Sequence, residues 1–268
     1  MGVALTFGAG NVDQLIHPID AYLQILLPFH IVLGYIAAIL LAPIALIAIK
    51  GSRWHIGVGR VFYWTTIAVS VTGIMLLLDP NFVDRLLPTE AAFEESIGPW
   101  FEPSPDLMKD VFFLYAAIAT LVSVISGVRI WARVRAANPR VLADWRDWSL
   151  TLVLGVLAAF WASVGVYFVR VGGMHGERLI ITSAALLGFT AVDVWTYWRK
   201  PTRDAFPWHV LHAAKMVTVV VFLLLAFQFH LIEILPPPFG SPYVLVVLFV
   251  VLVTLLVRFD RRSPKTSL

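Results

Sequence analysis

The groups in this chain with chemistry to offer are seven histidines and a few charged side chains set inside otherwise apolar sequence. A neutral imidazole is a common ligand for haem iron, and the facing helices of a bundle are where such a cofactor is held. His30, His55, His212 and His230 stand in or beside apolar runs, with Arg60 following His55 and Lys215 following His212. Counted from the ends of those runs, Arg60, Asp193 and Lys215 lie at similar depth, roughly 8–14 Å at 1.5 Å per residue. Equal depth permits pairing, so Asp193 and Lys215 form an expected structural ion pair. The same residues are also candidates for a functional pocket, because charge in hydrocarbon is costly.

The run carrying His212 shows a further pattern. At about 100° per residue, His212, Lys215, His230 and Glu233 share a stripe roughly 60° wide, with Val219 and Ala226 between them. One polar region would gather His209, His212, Lys215, His55, Arg60 and Asp193; the other would gather His30, His230 and Glu233. His55 and His212 are then candidate axial ligands of a haem b iron, or hydrogen-bond partners of a quinone. Arg60, Lys50 or Lys215 would neutralise propionates, and His30 with His230 would form a second level. The rise from His212 to His230 is about 27 Å at 1.5 Å per residue, which is long for two well-coupled haems ligated from one helix.

The elements that must position these groups follow from composition. The chain has 268 residues, 59% hydrophobic and only 14% charged, with a mean hydropathy of +0.84 and no cysteine. Soluble domains carry about 25% charged residues, so a soluble globular fold is excluded. Absence of thiols also excludes disulfides, iron–sulfur clusters and a cysteine nucleophile. Apolar runs at 22–49, 55–78, 108–133, 147–170, 178–198, 206–232 and 241–258 are each long enough to cross about 30 Å of hydrocarbon. Without the in-and-out alternation of a barrel, they predict an all-α polytopic membrane bundle of seven transmembrane helices in one domain.

Lys50, Arg53, Arg133, Arg135, Arg140, Arg146, Arg199, Lys200, Arg203, Arg258, Arg261, Arg262 and Lys265 fall on one side of that arrangement. The positive-inside rule places the N-terminus outside and the C-terminus in the cytoplasm of a bacterial inner membrane. Trp54, Trp131, Trp145, Trp148, Trp195, Trp198 and Trp208 mark the same boundary, where indoles favour the headgroup level. The first twenty residues have no basic segment and contain Asp13 and Asp20, unlike a cleaved leader. The acidic 79–107 segment reads as a solvated outer loop, since its carboxylates match no metal-loop spacing. The pI of 9.3 comes from the basic rim, and attraction to anionic membrane lipid accounts for it without nucleic acid.

Other classes are thinned by what is missing. No lysine lies in the last run to carry a retinal Schiff base, no internal repeat suggests a transporter, and no His-Glu-x-x-His marks a zinc hydrolase. His209 and His212 share one helical face but lack a clear third ligand.

Two segments resemble something known. Phe29-His30-Ile31-Val32-Leu33-Gly34 and Lys50-Gly51-Ser52-Arg53-Trp54-His55-Ile56-Gly57-Val58-Gly59-Arg60-Val61-Phe62 are similar to the start of a widespread group of uncharacterised bacterial multi-pass membrane proteins. His212-Ala213-Ala214-Lys215-Met216 resembles that group's histidine, basic residue and methionine at the head of a late helix, where the basic residue is usually Arg. The resemblance implies a shared polar site at His30, His55, Arg60, His212 and Lys215, and no particular activity. Two expectations therefore stand: a His/Arg/Lys pocket on the cytoplasmic side binding haem b or quinone for electron transfer, or a non-catalytic accessory subunit of a larger membrane complex. In the second, small residues such as Ser123, Ser126, Gly127, Gly155, Ser163 and Gly165 permit close approach of helices.

Overall fold

A computed structural model describes residues 12–48, 52–77, 105–135, 140–170, 176–202 and 204–231. The proposed span at 241–258, the acidic segment up to residue 104, Lys50, Glu233 and the side chain of His230 lie outside the described residues. The described chain is helical: α1 (Val12–Tyr35), a π-helical stretch (Ile36–Leu41), α2 (Ala42–Ile47), α3 (Arg53–Leu77), α4 (Pro105–Arg135), α5 (Trp145–Arg170), α6 (Gly176–Arg199) and α7 (Trp208–Leu231). Among the described residues, six helical segments are long and apolar enough to cross a membrane: Ile25–Ala45, Arg53–Leu77, Asp110–Arg135, Trp145–Arg170, Leu179–Arg199 and Trp208–Ala226. The chain is a multi-pass helical membrane protein. Helix α1 begins at Val12, so the segment read from sequence as lying before the first span is itself partly helical.

The π stretch has a local cause. Pro43 has no N–H and its ring crowds the carbonyl of residue 39, so the ordinary helical ladder cannot continue through it. The chain widens instead, and the N–H of Ala42 bonds to Ala37 O, five residues back. Ser52 accepts the N–H of His55 at 3.1 Å and thereby caps the start of α3.

Helix α4 is the axis of the bundle, packing on α3, α5 and α7, while α5 pairs with α6 and α1 with α3. The largest core cluster joins α4, α5, α6 and α7 through Phe112, Tyr115, Trp161, Leu186 and Phe222. A second joins the first helical segments to the rest through Ala38, Leu41, Phe62, Val124 and Val219. At the end rich in Arg and Lys, a single antiparallel bridge between Arg140 and Thr202 ties the α4–α5 connection to the α6–α7 connection, and Val141 N–H bonds to Pro201 O at 3.2 Å.

Gly155 and Gly165 are used inside the bundle, whereas Ser163 is exposed on α5 and bonds back to Ala159 O of its own helix. A methyl group at Gly165 would stand 2.9 Å from the carbonyl oxygen of Gly176, and one at Gly155 would stand 2.9 Å from the Thr190 methyl. These glycines let α5 and α6 approach closely, which accounts for them without a partner protein. Gly165→Ala is expected to destabilise the bundle by about 1–3 kcal/mol through forced separation of the two backbones. Thermal unfolding of the detergent-solubilised variant measures it, and an unchanged midpoint would contradict the close packing.

Candidate functional site: a buried ionic row at the basic end

Helices α4 to α7 bring an ionic network together at the basic end. Lys215 on α7 is 1% exposed and Asp193 on α6 is 0% exposed, and Lys215 Nζ meets Asp193 Oδ2 at 2.5 Å. Lys215 Nζ also donates to Ser126 Oγ on α4 at 3.3 Å. The expected Asp193–Lys215 pair is present. Its burial in a bundle that excludes water removes the solvation of both ions, so each depends on the other.

From Asp193 the network continues through hydroxyls. Thr151 Oγ1 on α5 lies 3.3 Å from Asp193 Oδ2 and 3.1 Å from the Tyr197 hydroxyl. A threonine has one hydroxyl proton, and an ionised carboxylate can only accept. Thr151 therefore donates either to Asp193 or to Tyr197, and while Asp193 is charged the carboxylate is the stronger acceptor. The row Tyr197, Thr151, Asp193, Lys215 and Ser126 thus has Asp193 as its shared acceptor and Lys215 as its shared donor.

A second set of charges flanks it. Asp144 and Asp147 form a reciprocal capping box at the start of α5: Asp144 Oδ1 accepts the Asp147 N–H at 3.0 Å and Asp147 Oδ2 accepts the Asp144 N–H at 3.1 Å. Arg129 on α4 bridges both carboxylates at 2.7 Å. Desolvation raises the Asp144 carboxyl, but the Asp147 N–H and the Arg129 guanidinium outweigh it and hold Asp144 below its ordinary value. Arg133, one turn further along α4, stands 3.9 Å from Asp147 Oδ2 and lies over the Tyr197 ring at 4.8 Å and the Trp208 ring at 6.0 Å. Arg129, Arg133 and Lys215 balance Asp144, Asp147 and Asp193, so the cluster is neutral when all six are ionised.

Tyr197 also lines a cleft. With Leu142, Ala143, Trp148, Trp198 and Lys200 it encloses about 630 Å³ at the basic end. Trp148 packs edge-on against Tyr197 at 5.0 Å. Lys200 sits at the rim with φ 47°, a left-handed conformation usually left to glycine, and its N–H caps α6 by bonding to Thr196 O at 3.0 Å. Near this region the buried atoms Asp193 Oδ1, Arg133 Nε and Trp208 Nε1 have no hydrogen-bond partner among the described residues.

The histidines are distributed differently from the two regions the sequence suggests. His55 Nδ1 lies 3.1 Å from Ala45 O, tying α3 to α2. His212 Nδ1 lies 2.9 Å from Gly127 O and its ring meets Trp131 edge-on at 5.6 Å. His30 Nδ1 lies 2.9 Å from Thr72 Oγ1, whose own proton is directed at Ala68 O. Since a carbonyl only accepts, Nδ1 carries the proton in His55 and His212, and the committed Thr72 proton implies the same for His30. His30 therefore belongs to an α1–α3 contact distant from the ionic row, and the outer grouping with His230 and Glu233 lies outside the described side chains.

The single pocket expected on the basic side is corrected in one respect. Lys215 finds Asp193 and Ser126, whereas Arg60 is exposed on α3 and His55 turns to α2, so α3 contributes neither residue to the ionic row. Helix α4 packs between, contacting both α3 and α7. Trp208, expected at the headgroup level, is 3% exposed beneath Arg133, while Trp54, Trp145, Trp195 and Trp198 are exposed as a boundary belt would be. The residues that the sequence reading missed are Arg129, Arg133, Asp144, Asp147, Thr151 and Tyr197. Asp144-x-x-Asp147 ahead of an apolar run was the available signal, since it has the spacing of a helix-start box.

No family model, curated protein or solved structure matches the chain. Among the described residues no group of three or more His, Asp or Glu side chains is placed to hold a metal ion.

Removal of one partner leaves a buried uncompensated charge, whereas removal of both leaves an apolar contact. Lys215→Met and Asp193→Leu are each expected to cost about 3–5 kcal/mol, and the double variant far less than their sum. A double-mutant cycle in detergent measures the difference, and additive losses would show that the two groups are not coupled.

Proposed function

We propose that this is a multi-pass protein of a bacterial inner membrane, with its N-terminus outside and its basic end in the cytoplasm, that binds a quinone-class ligand at that end and delivers protons to it. The observation supporting this reading is that Tyr197 belongs both to the aromatic cleft and to the hydrogen-bonded row ending at Asp193 and Lys215. A quinone has a flat ring, two carbonyl acceptors and an apolar tail. Trp148, Trp198 and Leu142 suit the ring, and the Tyr197 hydroxyl suits a carbonyl.

Proton delivery uses the two settings of Thr151. With Asp193 ionised, Thr151 donates to Asp193. When the Lys215 ammonium passes its proton to Asp193, the acid donates to Thr151, Thr151 turns to Tyr197, and the phenolic proton faces the cleft. Both donor geometries of Thr151 are satisfied in the same side-chain position. Passing the phenolic proton to the quinone, with Thr151 reprotonating Tyr197 and Asp193 reprotonating Thr151, leaves an Asp193 carboxylate beside a neutral Lys215 amine, and uptake of one proton from the cytoplasm restores the ion pair. The electrons for reducing a quinone come from a membrane redox partner.

Titration of purified protein with a short-chain ubiquinone by calorimetry is expected to show saturable binding, and Tyr197→Phe is expected to weaken it about five- to tenfold, the worth of one hydrogen bond. Absence of saturable binding, or equal affinity in Tyr197→Phe, would overturn the assignment.

The histidine tautomers favour a second reading, in which the chain also carries haem b. Iron-ligating histidines commonly donate the other ring N–H to a carbonyl, as the Nδ1 atoms of His55 and His212 do here. This reading predicts a Soret band that sharpens on dithionite reduction and is lost in His55→Ala or His212→Ala. A purified protein with no such band after expression in haem-replete cells would exclude it.

A further inference from the structure

Arg60 raises a separate question, because it is exposed on a segment that crosses the membrane. It stands about 10 Å along α3 from Arg53, at 1.5 Å per residue, inside a span of mean hydropathy 1.4. On a helical wheel at about 100° per residue, Arg53, Gly57, Arg60 and Trp64 fall within roughly 60° of one another. All four are exposed, and the same stripe continues to the exposed Val71 and Met75. The opposite face, with Phe62, Thr66 and Val69, is buried. The two arginines therefore face away from the described bundle, and neither forms an ion pair with any described acid.

Between them lies Gly57, where a Cβ would have no heavy atom within 4 Å. Glycine inside a helix is disfavoured against alanine, and close internal packing, which explains Gly165 and Gly127, does not explain this one. The position leaves an open notch flanked by two cations and followed by an indole, at the depth where headgroup meets hydrocarbon. We infer that Arg53, Gly57, Arg60 and Trp64 form a binding site for an anionic phospholipid. The phosphodiester sits over Gly57, both arginines hydrogen-bond its oxygens, Trp64, about 10 Å further along the helix, packs against the upper acyl chains, and those chains run on along Val71 and Met75. Arginine suits this role because its planar guanidinium pairs with phosphate oxygens in a two-point contact. The site is independent of the cleft and of the ligand proposed for it.

Native mass spectrometry of the full chain in detergent, titrated with phosphatidylglycerol or phosphatidylcholine, tests the site. Phosphatidylglycerol is expected to bind more tightly in the first step, by about fivefold for each cation engaged. Arg60→Gln removes about fivefold of that preference, and Arg60→Lys, which keeps the charge and loses the two-point contact, retains only part of it. Gly57→Leu fills the notch without changing charge and is expected to weaken phosphatidylglycerol binding while leaving thermal stability equal or higher. Equal affinity for the two lipids, or wild-type preference in both Arg60→Gln and Gly57→Leu, overturns the inference. Displacement of phosphatidylglycerol by millimolar inorganic phosphate would show a general anion site and overturn it as well.

Discussion

Hydrocarbon offers no solvation, so every ionised group within the α4–α7 bundle must meet its opposite there or remain uncharged. The contact between Lys215 and Asp193 satisfies that demand at the deepest point, and the arrangement of the basic end follows from it. Asp193 draws in Thr151, Thr151 orders Tyr197, and Tyr197 supports Arg133 through its ring face. Arg133 and Arg129 then require the two carboxylates that cap α5. Four helices are therefore fixed in rotation as well as in position, because a slip of one residue would turn a charge toward lipid.

The aromatic core farther along the same helices imposes a weaker constraint. Tyr115, Trp161 and Phe222 pack at 5.3–5.5 Å, and the Tyr115 hydroxyl reaches Ser183 at 3.1 Å. Dispersion contacts of this kind tolerate substitution of similar volume. An ionic row does not, since loss of one member strands another. The two parts of the bundle thus differ in kind: one specifies register, the other fills space.

Much of the fold was legible because the signals are long and local. Twenty-residue apolar runs, the one-sided Arg and Lys, and the boundary indoles each depend on composition over a single segment. The Asp193–Lys215 pair was legible too, since depth along two helices can be counted. Arg60 was not, because depth fixes distance from the surface and says nothing of rotation about the axis. It has the same depth as Lys215 and the opposite fate. Asp147 and Arg133 were overlooked for the reverse reason: they sit at helix ends, where charge is ordinary, and only the fold around the α4–α5 corner buries them at 2% and 7% exposure.

The contact between Gly165 and Gly176 has a mechanical corollary. Two backbones that touch without intervening side chains fix the spacing of α5 and α6 near one extremity, while the ions lie near the other, about 27 Å away along α5 from Gly165 to Asp147 at 1.5 Å per residue. The hairpin is thus clamped at both extremities by different physics, glycine on glycine at one and charge on charge at the other. Thr151 lies between the two clamps, so the height at which it meets Tyr197 and Asp193 depends on both.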